Sequence, residues 1–225
     1  MKTGVKLPVA QGSETTLLIG GLVLLLAASA RGRLPRPLGT LLLGVLAPLG
    51  ALVGFFFRDP DRVIPAGEGV VVSPADGEIV AIDRVDEPLF IEGPALRIGV
   101  FMSIWDVHVN RAPLAGVVQL VCHVPGRFRP AFRPEAAEVN EHLLTGIETA
   151  AGPILVKQIA GVLARRCVSY VSVGEPLRRG QRIGLIRFSS RVDVYLPAGA
   201  QACVGLGDRV RAGSSALALV AAGRE

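Results

Sequence analysis

Three short segments of this sequence carry side chains suited to nucleophilic and acid–base chemistry. The first is Ser189-Ser190, set between two runs rich in Ile, Val, Phe and Tyr, 182–188 and 192–196, that read as strands. A serine hydroxyl is a weak nucleophile and needs an adjacent base. The second segment, 101–113, offers that base in His108, whose ordinary pKa lies near neutrality, together with Arg111. The third, Ser73-Pro74-Ala75-Asp76-Gly77, offers a carboxylate, Asp76, able to hold an imidazole. Each has a plainer reading when taken alone. Serine pairs are common in solvated turns, Asp-Gly is a frequent turn pair, and a lone histidine or arginine is more often structural than functional. Their meaning lies in the combination and in the elements that must bring them together.

The 225 residues suffice for one catalytic domain with a sizeable core and a smaller addition. Net charge is +5, and apart from Lys2, Lys6 and Lys157 the cations are arginines, which suit bidentate recognition of phosphate or carboxylate. No nucleic-acid motif accompanies this charge, and aromatic residues make up only 5% of the chain, so an anionic membrane surface is the better partner. The three cysteines, Cys122, Cys167 and Cys203, are odd in number and form no CxxC. They argue against a disulfide framework and against zinc, and read as small buried residues in a reducing compartment. Nothing in the sequence calls for a metal, pyridoxal phosphate or a nucleotide.

Two apolar runs open the chain, 17–30 and 38–57, separated by Arg31, Arg33 and Arg36. The second is long enough to cross a bilayer and the first alone is short. They predict a membrane-associated segment over 1–57, either a hairpin of two helices or a partly embedded pair. The charged turn Arg58-Asp59-Pro60-Asp61-Arg62 marks a boundary, and 58–225 forms the catalytic domain. There short β-like runs recur between Gly, Pro and Asp: 69–73, 78–82, 96–102, 116–123, 154–160, 182–188 and 192–196. One helix is expected, over 134–144. The stretches 173–184 and 204–213 share an order of apolar, Gly, polar, basic, Gly, the turn-and-strand grammar of barrel-sandwich domains. The expected fold class is therefore α+β and β-rich, a barrel-sandwich-like domain behind an N-terminal hydrophobic helix pair. The same grammar supports a rival reading, a non-catalytic, membrane-anchored, lipoyl-like adaptor. That reading leaves the segments at 73–77 and 101–113 unexplained, and no lysine follows Lys157 to carry a lipoyl or biotinyl group.

The whole set, in this order, resembles the phosphatidylserine decarboxylases in their short bacterial and archaeal form. The resemblance runs from about residue 55 onward. It rests on Phe56-Phe57-Arg58-Asp59-Pro60, the 73–77 turn, the segment Asp106-Val107-His108-Val109-Asn110-Arg111-Ala112-Pro113, Val124-Pro125-Gly126-Arg127-Phe128, and Ile186-Arg187-Phe188-Ser189-Ser190-Arg191-Val192-Asp193-Val194-Tyr195-Leu196-Pro197. It implies a proenzyme, a lyase of phospholipid biosynthesis. Ser190, activated by His108 and Asp76, attacks the carbonyl of Ser189. An N-to-O acyl shift gives an ester, β-elimination breaks it, and hydrolysis with loss of ammonia leaves a pyruvoyl group. The products are a β chain, 1–189, and an α chain, 190–225. The pyruvoyl cofactor then forms a Schiff base with phosphatidylserine in the bilayer and takes up the electrons released as carbon dioxide leaves. His108 is the leading proton donor, and Arg111 the residue that would pair with the lipid phosphate or carboxylate. The resemblance places the protein at the cell membrane, with the catalytic domain on the cytoplasmic side and a homo-oligomer as a possible assembly. This chain departs from the family in two ways. Ser189 stands where Gly usually precedes the cleaved serine, so a cleavage-defective chain is a further reading. Arg111 occupies the position where longer bacterial members have a second histidine.

Overall fold

The computed structural model describes residues 9–10, 14–30, 35–133, 135–162, 166–186 and 190–221. Ser189, in the stretch 187–189, lies outside the described residues. The chain divides into two compact units, Met1–Asp61 and Arg62–Glu225.

The first unit contains α1 (Glu14–Ala30) and α2 (Arg36–Phe56). Pro37 falls in the first turn of α2, where a missing N–H leaves no hydrogen bond unmade. Leu38, Leu41, Val45, Leu49 and Leu52 follow one another at helical spacing and all are exposed. Among the described residues, α2 is the one helix long and apolar enough to cross a membrane, over Pro37–Phe56. At 17 residues α1 falls short of that length, so the pair expected from the sequence reduces to one spanning candidate and a shorter apolar helix.

The second unit is built from fourteen strands among the described residues. They are β1 (Val70–Val72), β2 (Gly77–Glu87), β3 (Gly93–Met102), β4 (Val109–Arg111), β5 (Gly116–Val124), β6 (His142–Thr149) and β7 (Gly152–Ala160), then β8 (Cys167–Ser169), β9 (Pro176–Leu177), β10 (Arg182–Ile186), β11 (Ser190–Pro197), β12 (Gln201–Ala202), β13 (Arg209–Val210) and β14 (Ala216–Leu219). A single turn of helix, α3 (Ala136–Val139), precedes β6. An open, curled eight-stranded sheet runs β13-β2-β3-β11-β7-β6-β5-β9, and two three-stranded sheets run β1-β14-β12 and β4-β10-β8.

These orders hide a repeat. The set β1, β2, β3, β11, β12, β13, β14 is matched by β4, β5, β6, β7, β8, β9, β10, and the two sets meet where β11 pairs with β7. Backbone hydrogen bonds match as well. Gly207 N–H donates to the Ile79 carbonyl and Ile79 N–H to Asp208; Gly174 N–H donates to Val118 and Val118 N–H to Glu175. Gly213 N–H reaches Ser73, and Gly180 N–H reaches Ala112, both at 2.8 Å. The four glycines sit at φ of +87°, +86°, +73° and +76° for Gly207, Gly174, Gly213 and Gly180, the left-handed region that glycine enters without strain. The likeness between 173–184 and 204–213 is thus a structural one. In chain order the second set is inserted into the first, between β3 and β11.

All three sheets contribute to one core, with Val71 and Leu217 from one small sheet, Ile183 and Ile186 from the other, and Ile98, Val100, Ile154, Val156, Val192, Val194 and Leu196 from the large sheet. Each such side chain contributes about 1.5–3 kcal/mol on burial. Because successive residues of a strand face opposite ways, β11 turns Ser190, Val192, Val194 and Leu196 to this core and Arg191, Asp193 and Tyr195 to the other face. That face is also covered. Arg191 and Asp193 are both buried and form a two-point pair, Nε to Oδ1 at 2.5 Å and Nη2 to Oδ2 at 3.1 Å. Gly99, opposite Asp193 on β3, makes room for it: a Cβ there would stand 2.7 Å from both Arg191 Nη2 and Asp193 Oδ1.

Two expectations are corrected. The helix read over 134–144 shrinks to the four residues of α3, and β6 begins at His142. Asn140 ends the helical stretch in an extended conformation, its side-chain amide tied to Arg129 N–H and to the Arg129 and Ala160 carbonyls. The cysteines are not uniformly buried. Cys122 and Cys203 are exposed, and only Cys167 lies within the packing, its thiol donating to the Gln158 carbonyl and pushed up to about 12 by burial.

Two measurements check this architecture. Replacing Asp193 by Ala leaves Arg191 buried without its carboxylate and should cost about 3–5 kcal/mol in denaturant-induced unfolding, as removal of one member of a buried pair does. A thiol reagent should modify Cys122 and Cys203 rapidly and Cys167 only after unfolding, because a protonated buried thiol is unreactive.

Candidate active site

Ser190 is the first residue of β11, opposite Met102 on β3 and Ala160 on β7, and it is fully buried. Its hydroxyl donates to the Met102 thioether sulfur at 3.4 Å. Sulfur is a weak acceptor, so the hydroxyl is oriented without its proton being strongly held.

The same sulfur meets a second donor, the Asn110 side-chain amide, at 3.7 Å. That amide also approaches the Pro74 carbonyl at 3.4 Å, and the Asn110 side-chain oxygen accepts from Gln158 Nε2 at 2.8 Å. Asn110, Gln158 and Met102 are all fully buried. The backbone N–H of Arg111 also donates to Pro74, and Ile186 N–H donates to the His108 carbonyl. The 73–77 turn, the 106–113 segment and the start of β11 thus converge on Met102 and Pro74.

His108 lies at the entry to β4 and is fully buried. Its Nδ1 sits 2.9 Å from the Asp106 carbonyl, which can only accept, so Nδ1 carries the hydrogen and Nε2 carries the lone pair of the neutral ring. The carbonyl is itself fixed by its own side chain. Asp106 Oδ2 accepts from the backbone and hydroxyl of Ser103, at 2.8 and 2.7 Å, and Oδ1 accepts from Arg209 at 2.6 Å.

Asp76 is buried in the 73–77 turn. Oδ2 accepts from Arg62 Nη2 and Oδ1 from Ala212 N–H, both at 2.7 Å. The ring of His108 is therefore oriented through Nδ1 by a backbone carbonyl, and Asp76 is fixed separately by a cation and a backbone amide. Ser73 closes the turn by donating to the Ala75 carbonyl at 2.7 Å. At Gly77 a Cβ would fall 2.0 Å from the Phe101 carbonyl oxygen, so this position admits only glycine.

Arg111 is buried, and Nη1 donates to the Gly180 carbonyl at 3.1 Å. The other two histidines stand in different surroundings. His123 pairs with Glu141 at 3.1 Å on the surface; His142 is buried against the Asn140 carbonyl at 2.7 Å, and burial pushes it below its ordinary pKa. Met102, Gln158, Arg62 and Asn110 escaped the sequence reading as site residues. Asn110 lies inside a segment already singled out, and Gln158 is a lone amide in the otherwise apolar end of β7. Met102 also lies in that segment and Arg62 in the charged boundary turn, but neither residue type announces a role there.

Among the described residues no cluster of His, Cys, Asp and Glu could hold a metal ion. The arrangement offers a buried hydroxyl at a strand start, an imidazole of fixed tautomer and a carboxylate of fixed orientation.

Comparison with known proteins bears on the same region. A family model for phosphatidylserine decarboxylase matches residues 49–218. A phosphatidylserine decarboxylase proenzyme of Symbiobacterium thermophilum is 49% identical over 174 residues, covering 77% of this chain and 81% of that protein. One of Desulfotalea psychrophila is 45% identical over 164 residues, covering 72% and 77%. One of Nitrosomonas eutropha is 49% identical over 168 residues, covering 74% and 77%. With the family model spanning the 73–77 turn, His108 and Ser190 alike, the chain belongs to the phosphatidylserine decarboxylase family.

Proposed function

We propose that this chain is the proenzyme of a membrane-bound decarboxylase that converts phosphatidylserine to phosphatidylethanolamine, and that it matures by cutting itself between Ser189 and Ser190. Family membership supports the reaction. The observation that carries the residue assignment is the convergence of the Ser73–Gly77 turn, the His108 segment and Ser190 on Met102 and Pro74.

The cofactor in this reading is a pyruvoyl group made from Ser190 itself. The surroundings of Ser190 fit such a group: the position is closed to water, and the Asn110 amide that shares Met102 with it can donate to a carbonyl. Once formed, the pyruvoyl supplies an electron sink for loss of carbon dioxide. The remaining work falls to the chain. His108, with Nδ1 committed to Asp106, takes the Ser190 hydroxyl proton at Nε2 during self-cleavage. The same nitrogen returns a proton to the substrate carbon after decarboxylation. Asp76, held in orientation by Arg62 and Ala212, is the carboxylate this reading assigns to the support of His108. Arg111 is our candidate for a two-point contact to the lipid phosphate or carboxylate. Its competing role is the brace its Gly180 bond describes, between β4 and the turn after β9. In this reading α2 anchors the protein in the cell membrane with the catalytic unit on the cytoplasmic side, and the two small sheets over the curled sheet form a barrel-sandwich-like body.

Intact mass measurement tests the maturation. Two chains divided between 189 and 190, the smaller with a borohydride-reducible carbonyl, are expected; Ser190→Ala should give one chain. Division of that variant at the same place would sink the proposal. A single uncut wild-type chain that divides once Ser189→Gly is made would assign the block to Ser189.

The positioning of the site gives a graded test on cleavage rate. His108→Ala should slow self-cleavage about 100-fold or more, the usual worth of a positioned general base. Arg62→Ala should slow it roughly tenfold, because loss of one charge-assisted hydrogen bond loosens Asp76 without removing it. Equal rates for all three chains would make both residues structural.

A further inference from the structure

We propose that the end of the eight-stranded sheet holding Ser190 is a docking rim that seats on an anionic phospholipid bilayer. The register defines that end. Met102, Ser190 and Ala160 lie abreast, as do Val124, His142 and Ile159, and Glu78 lies beside Phe101. Described parts of four loops therefore gather there: 103–108 after β3, 125–133 and 135–141 between β5 and β6, 161–162 after β7, and 203–208 before β13.

These loops carry Trp105, Phe128, Phe132, Val162 and Leu206, exposed at 61%, 37%, 60%, 49% and 68%. They include every exposed aromatic side chain among the described residues of this unit. Exposed large apolar residues gathered in one place mark an interaction surface. Their exposure is built into ordered loops. Arg127 N–H donates to Val139 at 2.7 Å and its carbonyl accepts from Glu141 at 2.9 Å; Asn140 bonds both backbone groups of Arg129 at 2.8 Å. Phe132 stands edge to face on Phe101, centroids 6.2 Å apart. The turn bearing Trp105 is closed by Asp106 on Ser103.

The composition of the rim selects its occupant. In Arg127-Phe128-Arg129-Pro130-Ala131-Phe132-Arg133, three exposed arginines alternate with two exposed phenylalanines, and no carboxylate falls between 125 and 134. Elsewhere at this end Asp106 is paired with Arg209, Glu141 with His123 and Asp208 with the Gly205 N–H, while Glu78, Glu135 and Glu138 are exposed. Arginines beside aromatic rings suit the headgroup layer, where the rings enter the acyl boundary and the cations meet phosphates. A second protein copy would need a complementary apolar, acidic face. The functional reading adds one requirement on which the proposal rests. A lipid whose headgroup must reach buried Ser190 while its acyl tails stay in the bilayer brings that bilayer to this end.

Trp105 is the only tryptophan of the chain and reports on the rim directly. The full chain would be reconstituted in phosphatidylcholine–phosphatidylglycerol vesicles carrying phosphatidylcholine brominated at graded acyl depths. The expected result is a blue-shifted Trp105 emission quenched most by shallow bromines. In Phe128→Ser/Phe132→Ser, quenching should fall and turnover of vesicle lipid should drop about tenfold, while turnover of a short-chain, water-soluble phosphatidylserine is unchanged. Water-like emission untouched by bromine overturns the proposal. So does a blue shift without quenching that grows with protein concentration, which would place a second copy on the rim. The quenching needs no turnover: a chain that neither cuts nor decarboxylates yet is quenched refutes the functional reading and leaves the rim standing.

Discussion

The second unit depends on the hydrogen-bonding of β11 to both of its neighbours. Eight residues of this strand pair with β3 and six pair with β7, so β11 is the seam that joins the two halves of the large sheet. The proposed maturation would cut the chain immediately before this strand, and it sets one requirement: the new end must then not peel away. Two-sided pairing answers it, and the buried Arg191–Asp193 pair adds a second lock one residue past the cut. A buried ion pair is costly to form but far costlier to leave half-made. It therefore holds the strand start in register more firmly than it adds net stability. Gly99 is part of this device, because any side chain there would displace the pair.

The repeat explains why the chemistry sits where it does. In the inserted set, β6 passes to β7 through a tight connection that ends at Gly152, with φ +101°. In the first set the equivalent passage, from β3 to β11, is interrupted by the whole inserted set. His108 lies where the chain leaves β3 for that insertion, and Ser190 lies where it returns. Backbone bonds match Ser73 with Ala112 and Ile79 with Val118, and strand pairing with β13 and β9 matches Gly77 with Gly116, so Ala115 stands where the first set has Asp76. A Cβ at Gly116 would collide with the Glu148 carbonyl at 2.2 Å, as one at Gly77 would with Phe101. Both halves share this steric rule, but only the first carries the carboxylate. The fold thus provides two geometrically related turns, and the carboxylate proposed for the site, Asp76, occupies that of the first set.

Much of this was legible in the sequence. Short β-like runs set between Gly, Pro and Asp located β1, β2, β3, β5, β7, β10 and β11, because apolar and β-branched residues cluster between turn signals. The short edge strands β9, β12 and β13 were not legible, since two residues carry no period. The stretch 142–149 was also missed. Its interior is buried almost throughout, so its apolar run lacks alternation and the acids before it suggested a helix start. The three chemical segments were found because their residue types are unusual together. The parts that hold them were not, because Arg62 meets Asp76 and Arg209 meets Asp106 only through the fold, from 14 and 103 positions away. The exposure of Cys122 and Cys203 was equally invisible to composition.

The polar residues around Ser190 obey a different logic from the rest of the core. Gln158 Oε1 is buried with no hydrogen-bond partner among the described residues. An unmatched buried acceptor costs about 1–3 kcal/mol, and among the described residues the partner of the Ser190 hydroxyl is a thioether. Apolar replacements would relieve that cost, so stability alone does not account for this cluster. The proposed role of Ser190 does: a serine that attacks the neighbouring carbonyl is better served by a weak acceptor, which points the hydroxyl without competing with the base for its proton. Asn110 links the two requirements. Gln158 on β7 holds its oxygen, which turns its N–H groups toward Met102 and Pro74. The site is thereby oriented from a strand of the inserted repeat, the 73–77 turn and β3 at once, and its geometry survives only while both repeats remain docked along β11.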